Sequence, residues 1–169
     1  MNFNRYITEA EFSALAAFIR REGVVRRFAR GERLSGQGLR SHRCGLVVQG
    51  AFRYVYADAA GEEHVVGYAF AGEFVGDYIS MCVDAPSQVT IEAMCGAAAL
   101  VVTGGRLEAF YRTDAAHERL GRTMAEHMLA EVYERLLERY AASPQQRYEA
   151  LLERCPDLLQ MVSLRELAS

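Results

Sequence analysis

Phe12, Leu15, Ala16, Phe18 and Ile19 recur at the spacing of one helical face. Thr8 and Glu11 precede them in capping-box spacing, and Gly23 follows as a residue suited to the position after a helix. The pattern predicts an amphipathic helix over Thr8–Glu22. From Val24 to Val102 the period changes. Short β-rich runs at Val24–Phe28, Gly45–Val48, Phe52–Ala57, His64–Tyr68, Val89–Ala93 and Ala99–Val102 alternate with glycine-bearing breaks. Phe52, Tyr54 and Tyr56 alternate with Arg53, Val55 and Ala57, the period of two of a strand with unlike faces. Many short strands with regular turn signals predict an antiparallel sandwich, roll or barrel.

After Thr103 the helical period returns. Gly104–Arg112 reads as a short helix, and Asp114 as the cap of a much longer one reaching about Ala142. Along it Leu120, Met124, Met128, Val132, Leu136 and Tyr140 fall every four residues, widened by Leu129, Tyr133 and Leu137. A four-residue step drifts about 40° around the helix, so this stripe covers a broad or wrapping face. Glu118–Arg122 and Glu131–Arg135 stand as i,i+4 pairs, each worth a few tenths of a kcal/mol. About 29 residues of helix span about 43 Å, more than a small domain needs to cover itself. The reading is therefore a two-fold helix–helix seam through Leu120, Met124, Met128, Val132 and Leu136, with packing on the chain's own strands as the alternative. Ser143-Pro144 starts another helix carrying Tyr148, Leu151 and Leu152, which breaks at Cys155-Pro156. Ser163 and Glu166 open a last one in capping-box spacing.

Composition narrows the chemistry. Every one of the 19 basic residues is arginine, so Schiff-base and P-loop lysines are excluded. The net charge of −3 is not that of a free-standing nucleic-acid binder. Arginines 20, 21, 26, 27, 30, 33, 40 and 43 form a local basic run, read either as a nucleic-acid footprint or as a solvated surface; Phe28 alone interleaves them, which favours the second. Cys44, Cys82, Cys95 and Cys155 stand far apart, as reduced thiols in a cytoplasmic protein do. His42, His64, His117 and His127 supply no metal-ligand spacing, and no H-x-H pair or Ser/His/Asp grouping is present, so no metal, cofactor or catalytic residue is assigned. The longest apolar run, Ala97–Val102, is far too short to cross a bilayer, and Met1–Tyr6 has no signal-peptide core.

The order of elements resembles the Crp/Fnr family of bacterial transcription regulators. The resemblance rests on Phe28-Ala-Arg-Gly-Glu32, Leu46-Val-Val-Gln-Gly-Ala-Phe-Arg53, Gly72-Glu-Phe-Val-Gly-Asp-Tyr78, Pro86-Ser-Gln-Val-Thr-Ile-Glu-Ala93 and Arg147-Tyr-Glu-Ala-Leu-Leu-Glu-Arg154. It implies a mainly β fold with flanking helices: an antiparallel double-stranded β-roll (jelly roll) of the cyclic nucleotide-binding type over 1–112, a dimerisation helix over 113–142, and the start of a winged helix-turn-helix over 143–169. Ser163–Ser169 resembles the first helix of that motif; no recognition helix follows, so DNA contact is expected only through residues absent from this chain.

The resemblance also implies an effector site. In nucleotide-binding members a Gly-Glu pair takes the ribose hydroxyl, and an Arg about ten residues on takes the cyclic phosphate, followed by a small hydroxyl residue. Gly76-Asp77, with Tyr78, stands at the first position, and Ser87 or Gln88 at the arginine position. Without a guanidinium to fork onto the anion, cyclic AMP is not expected as the effector. Asp77 has a second reading as the cap of a helical turn over Tyr78–Met81. The expected function is the effector-sensing and dimerising part of a regulator that is not an enzyme, acting as a homodimer without a membrane. The alternative is a ligand-sensing or protein-interaction module that binds no DNA.

Overall fold

The computed structural model describes residues 11–141, 143–156 and 158. The chain opens with α1 (Ser13–Glu22), followed by β1 (Val24–Phe28), β2 (Arg33–Ser35), β3 (Arg43–Gln49), β4 (Ala51–Ala57), β5 (Glu63–Phe70) and β6 (Phe74–Gly76). Then come α2 (Tyr78–Cys82), β7 (Thr90–Ala93), β8 (Ala97–Thr103), α3 (Gly104–Tyr111), α4 (Ala115–Ala141) and α5 (Pro144–Arg154). The strands form two antiparallel four-stranded sheets, ordered β1-β8-β3-β6 and β2-β7-β4-β5, so the expected roll is present. The sequence pattern placed six of the strands; β2 and β6, three residues each, are too short to show a period. Thr8 and the helix expected over Ser163–Ser169 lie outside the described residues.

Strand β8 shows how the layers are made. Ala97, Ala99 and Val101 face inward to the inter-sheet core with Phe28, Val47, Phe52, Val75 and Ile91. Leu100 and Val102 face the other way, onto a helical layer with Leu15, Phe18, Ile19, Leu107, Phe110 and Met124. Both faces of the sheet are therefore covered, unlike a sheet with one wet face. Phe52, fully buried, contributes about 2–3 kcal/mol by area. Its ring meets Phe28 edge-to-face at 5.1 Å. Across the second sheet, Glu92 on β7 stands opposite Arg53 on β4 and Arg33 on β2. It accepts from Arg53 at 2.6 and 2.8 Å, which pins the register of the central strands.

The helices start where their caps allow. Asp114 accepts from the amides of Ala116 and His117 at 2.8 and 3.0 Å, closing the first turn of α4. The His117 backbone and ring hold that carboxyl below its ordinary value. Ser143 and Gln146 form a reciprocal capping box at the start of α5. α5 then returns to the roll, where Leu151, Cys155 and Leu158 are buried against Ala51, Tyr68, Phe70 and Met94. No described helix is long and apolar enough to cross a membrane.

The hairpin between β3 and β4 turns at Gly50, with φ +76°, where an added Cβ would stand 2.7 Å from the Gly96 carbonyl oxygen and 2.9 Å from Ala97. Gly50→Ala therefore combines left-handed strain with a backbone clash, and should lower stability by about 2 kcal/mol or more. Urea unfolding checks this as a lower midpoint at unchanged slope.

Candidate functional site

Gly76 ends β6 and Asp77 follows as the N-cap of α2. Gly76 has φ +154°, and a Cβ there would fall 2.6 Å from that of Cys44, so only glycine brings the chain this close to β3. Asp77 Oδ1 accepts from the Ser80 amide at 3.3 Å, which is the capping role the sequence allowed. Its other oxygen accepts from the Ser87 hydroxyl at 2.7 Å and from the Gln88 amide at 3.2 Å. The Ser87 hydroxyl also stands 2.8 Å from the Val89 carbonyl, and its single proton serves one of the two at a time. The backbone of Ser87 is fixed in turn: its N–H donates to Leu39, and its carbonyl accepts from Gly38.

The fold thus brings Gly76, Asp77, Ser87 and Gln88 together, but as an internally satisfied cluster. The donors expected to meet an effector's anion already hold the chain's own carboxylate. The guanidinium of Arg40, on the neighbouring loop, is engaged too: it pairs with the Asp84 carboxylate at 2.9 Å and donates to the Asp84 carbonyl. Tyr78 turns away from this cluster, its hydroxyl donating at 3.4 Å to the Gly121 carbonyl of α4.

A second feature lies beneath α4. A cavity of about 100 Å³ is walled by α1, β3, β4, β6, α2, α3 and α4, with Ile19, Phe74, Met81, Leu107, Met124 and Met128 among its lining. Asp77, Ser87 and Gln88 do not line it. Its polar groups are the Tyr54, Tyr78 and Tyr111 phenols and the pair Glu131–Arg135, 3.4 Å apart. Glu131 is only 3% exposed, so its partner is what makes a buried carboxylate tolerable. Burial pushes all three phenols up, and the Cys44 thiol to about 12, leaving each of them uncharged at neutral pH. Tyr54 also accepts from the Gly76 amide at 3.1 Å, joining this cavity to the Asp77 cluster through one peptide.

The expected seam residues divide between two faces. Met124 is covered within its own chain, and Leu120 and Met128 pack partly against the same helical layer. Val132 and Leu136, by contrast, are 58% and 50% exposed. Steps of four drift off a helical face, whereas Met124, Met128, Glu131 and Arg135 follow the true 3.6-residue period and stay on the roll. The exposed apolar row is Leu129, Val132, Tyr133, Leu136, Leu137 and Tyr140, which keeps the same period on another face. Glu131 and Arg135 were legible in sequence only as a surface pair. The signal for their burial was their phase relative to Met124.

Elsewhere, Asp58, Glu62 and His64 lie within 4.8 Å of one another on the β4–β5 turn. Asp58 there accepts from the amides of Ala60 and Glu62, both at 2.9 Å, and the Glu62 amide foremost holds its carboxyl below the usual value. These contacts form the turn itself.

Comparison with known proteins places the fold. The family model described as cyclic nucleotide-binding domain matches residues 25–114. FixK2 from Bradyrhizobium japonicum superimposes with a TM-score of 0.59 at 19% identity, over 68% of this chain and 56% of that one. CLP, the c-di-GMP-responsive global regulator of Xanthomonas campestris, gives 0.62 at 14%, over 83% and 70%. The catabolite activator protein of Thermus thermophilus gives 0.55 at 20%, over 95% and 63%. At such identities the likeness is one of fold, and the matched part amounts to between 56% and 70% of these regulators' own length. No curated protein matches the chain by sequence.

Two outcomes follow from this geometry. Asp77→Ala removes a cap and the partner of Ser87, and should cost about 1–2 kcal/mol in thermal or urea unfolding, with Asp77→Asn costing less. Cyclic AMP at millimolar concentration should leave the melting temperature unchanged, whereas a ligand at 100 times its dissociation constant would add about 2.7 kcal/mol.

Proposed function

The chain belongs to the cyclic nucleotide-binding domain family, and on that premise we propose that it is the sensing and dimerising part of a Crp/Fnr-type transcription regulator. The roll senses, α4 pairs with the α4 of a second copy, and the residues from 143 onward lead into a DNA-reading head. In this reading a change of state in the roll alters how α4 lies on it, shifting the population of head orientations that fit two half-sites one helical turn apart.

The observation that carries the reading is the exposed row on α4. Six large apolar side chains from Leu129 to Tyr140 stand 49–86% exposed on one face. Such a contiguous apolar patch on a single subunit marks an interaction surface. A two-fold axis brings the same patch of both copies together, and an apolar row at helical period suits a second copy of the same helix. The arginine-rich segment gives less support to direct nucleic-acid contact: within it Arg21 is paired with Glu22, Arg33 with Glu92 and Arg40 with Asp84. A sensory function fits the Asp77 cluster only if the effector is not recognised there as a phosphate, since the local donors are already taken.

Sedimentation equilibrium of the chain should show a dimer at micromolar concentration. The double variant Leu129→Glu/Leu136→Glu places like charges across the seam. It should shift the equilibrium to monomer by at least about tenfold, with the melting transition retained because neither side chain belongs to the chain's own core. A wild-type chain that stays monomeric at high concentration overturns the reading.

A further inference from the structure

We infer that the cavity beneath α4 takes an uncharged apolar molecule about the size of a single ring, carrying one hydrogen-bonding group, and that this guest is the effector of the sensor; the second half of that statement rests on the function proposed above.

Three observations fix the chemistry of the guest. The first is size and lining. The space is about 100 Å³ and its walls are apolar side chains almost throughout. A dry engineered cavity of about 150 Å³ admits benzene. The smaller volume here is offset by soft walls: Met81, Met124 and Met128 all line it, and methionine changes shape at little cost. Val132, 58% exposed, stands at the mouth, so a substituent can protrude.

The second is charge. Among the described lining residues the ionic groups are Glu131 and Arg135, which pair with each other and sum to zero. A charged guest would find no unshared counter-ion in an apolar enclosure, which disfavours nucleotides and carboxylates alike. A single polar atom can be accommodated, because the buried Tyr111 hydroxyl lies beside that of Tyr78 and makes no hydrogen bond of ordinary length.

The third is position. The cavity touches seven elements, of the roll and of the helical layer including α4, and its lining residue Val132 belongs to the exposed row of the seam. Occupancy would therefore bear directly on how two copies of α4 meet. The Tyr54–Gly76 hydrogen bond carries the same change to the Asp77 cluster. Of the cassette positions Gly76 and Tyr78 line the site while Asp77, Ser87 and Gln88 do not, so it needs no arginine at Ser87 or Gln88.

Phenol and indole are suitable probes, followed through the methyl groups of ¹³C-methyl-labelled methionine in the full chain. Met81, Met124 and Met128 should shift saturably with a dissociation constant below about 1 mM. Met94, packed beneath α5 in a separate cluster, is the internal control and should stay put. Met128→Trp fills the space and should weaken binding by at least about tenfold; cyclic AMP should neither shift these methyls nor compete. Absence of a saturable shift with either probe overturns the inference, as does an equal response at Met94 or undiminished binding by a folded Met128→Trp chain. Sedimentation of the same samples separates the two ideas. No binding by a chain that dimerises refutes the cavity assignment alone, while saturable binding by a chain that never dimerises refutes the effector role and leaves the site.

Discussion

The double-sided burial of the β1-β8-β3-β6 sheet is the constraint on which the remaining structure depends. β8 alternates small residues inward with larger ones outward, so one strand serves the inter-sheet core and the helical layer together. The small inward residues let Phe28, Phe52 and Ile91 fill the space between sheets. The outward ones give α1, α3 and the first half of α4 a surface to lie on. Each face of β8 thus serves a different core through one shared backbone, and the attachment of α4 is coupled to the stability of the roll.

That attachment explains why α4 has two characters along its length. Near Met124 it is a core helix of its own chain, and past Leu129 it presents a second apolar face to solvent. The buried Glu131–Arg135 pair sits where the helix is leaving the roll; both partners belong to α4, so the pair makes the burial of Glu131 tolerable without itself tying the helix to a strand. Tyr78 on α2 reaches the Gly121 carbonyl from the other side. Tyr78 and the His127–Glu11 pair, 3.7 Å apart, thus tie the helix to its own chain alongside the apolar contacts of Met124 and Leu120.

The Asp77 cluster and the cavity are two answers to the same architectural opening. In the first, a carboxylate receives three donors and closes the loop between α2 and β7 on itself. Its satisfied valences make it a structural clamp. In the second, unfilled space remains beside Met124 and Met128. Its walls include three methionines and three tyrosines.

The amino-acid sequence alone determined the element order, the antiparallel roll, the helix starts at Asp114 and Ser143, and the alternation of β4. These are local properties, written in periods of two and 3.6 and in caps that act within three or four residues. It also assembled Gly76, Asp77, Ser87 and Gln88 as one site, although through resemblance. What tertiary structure alone decided is what those groups contact. Whether Asp77 faces a ligand or its own loop depends on where Ser87 returns after ten residues, and no local rule specifies that return. Likewise a four-residue stripe on α4 cannot say at which turn the helix leaves the roll. The phase of Met124 against β3 and β8 fixes that point, and with it Glu131 and Arg135 turn inward and Val132 turns out.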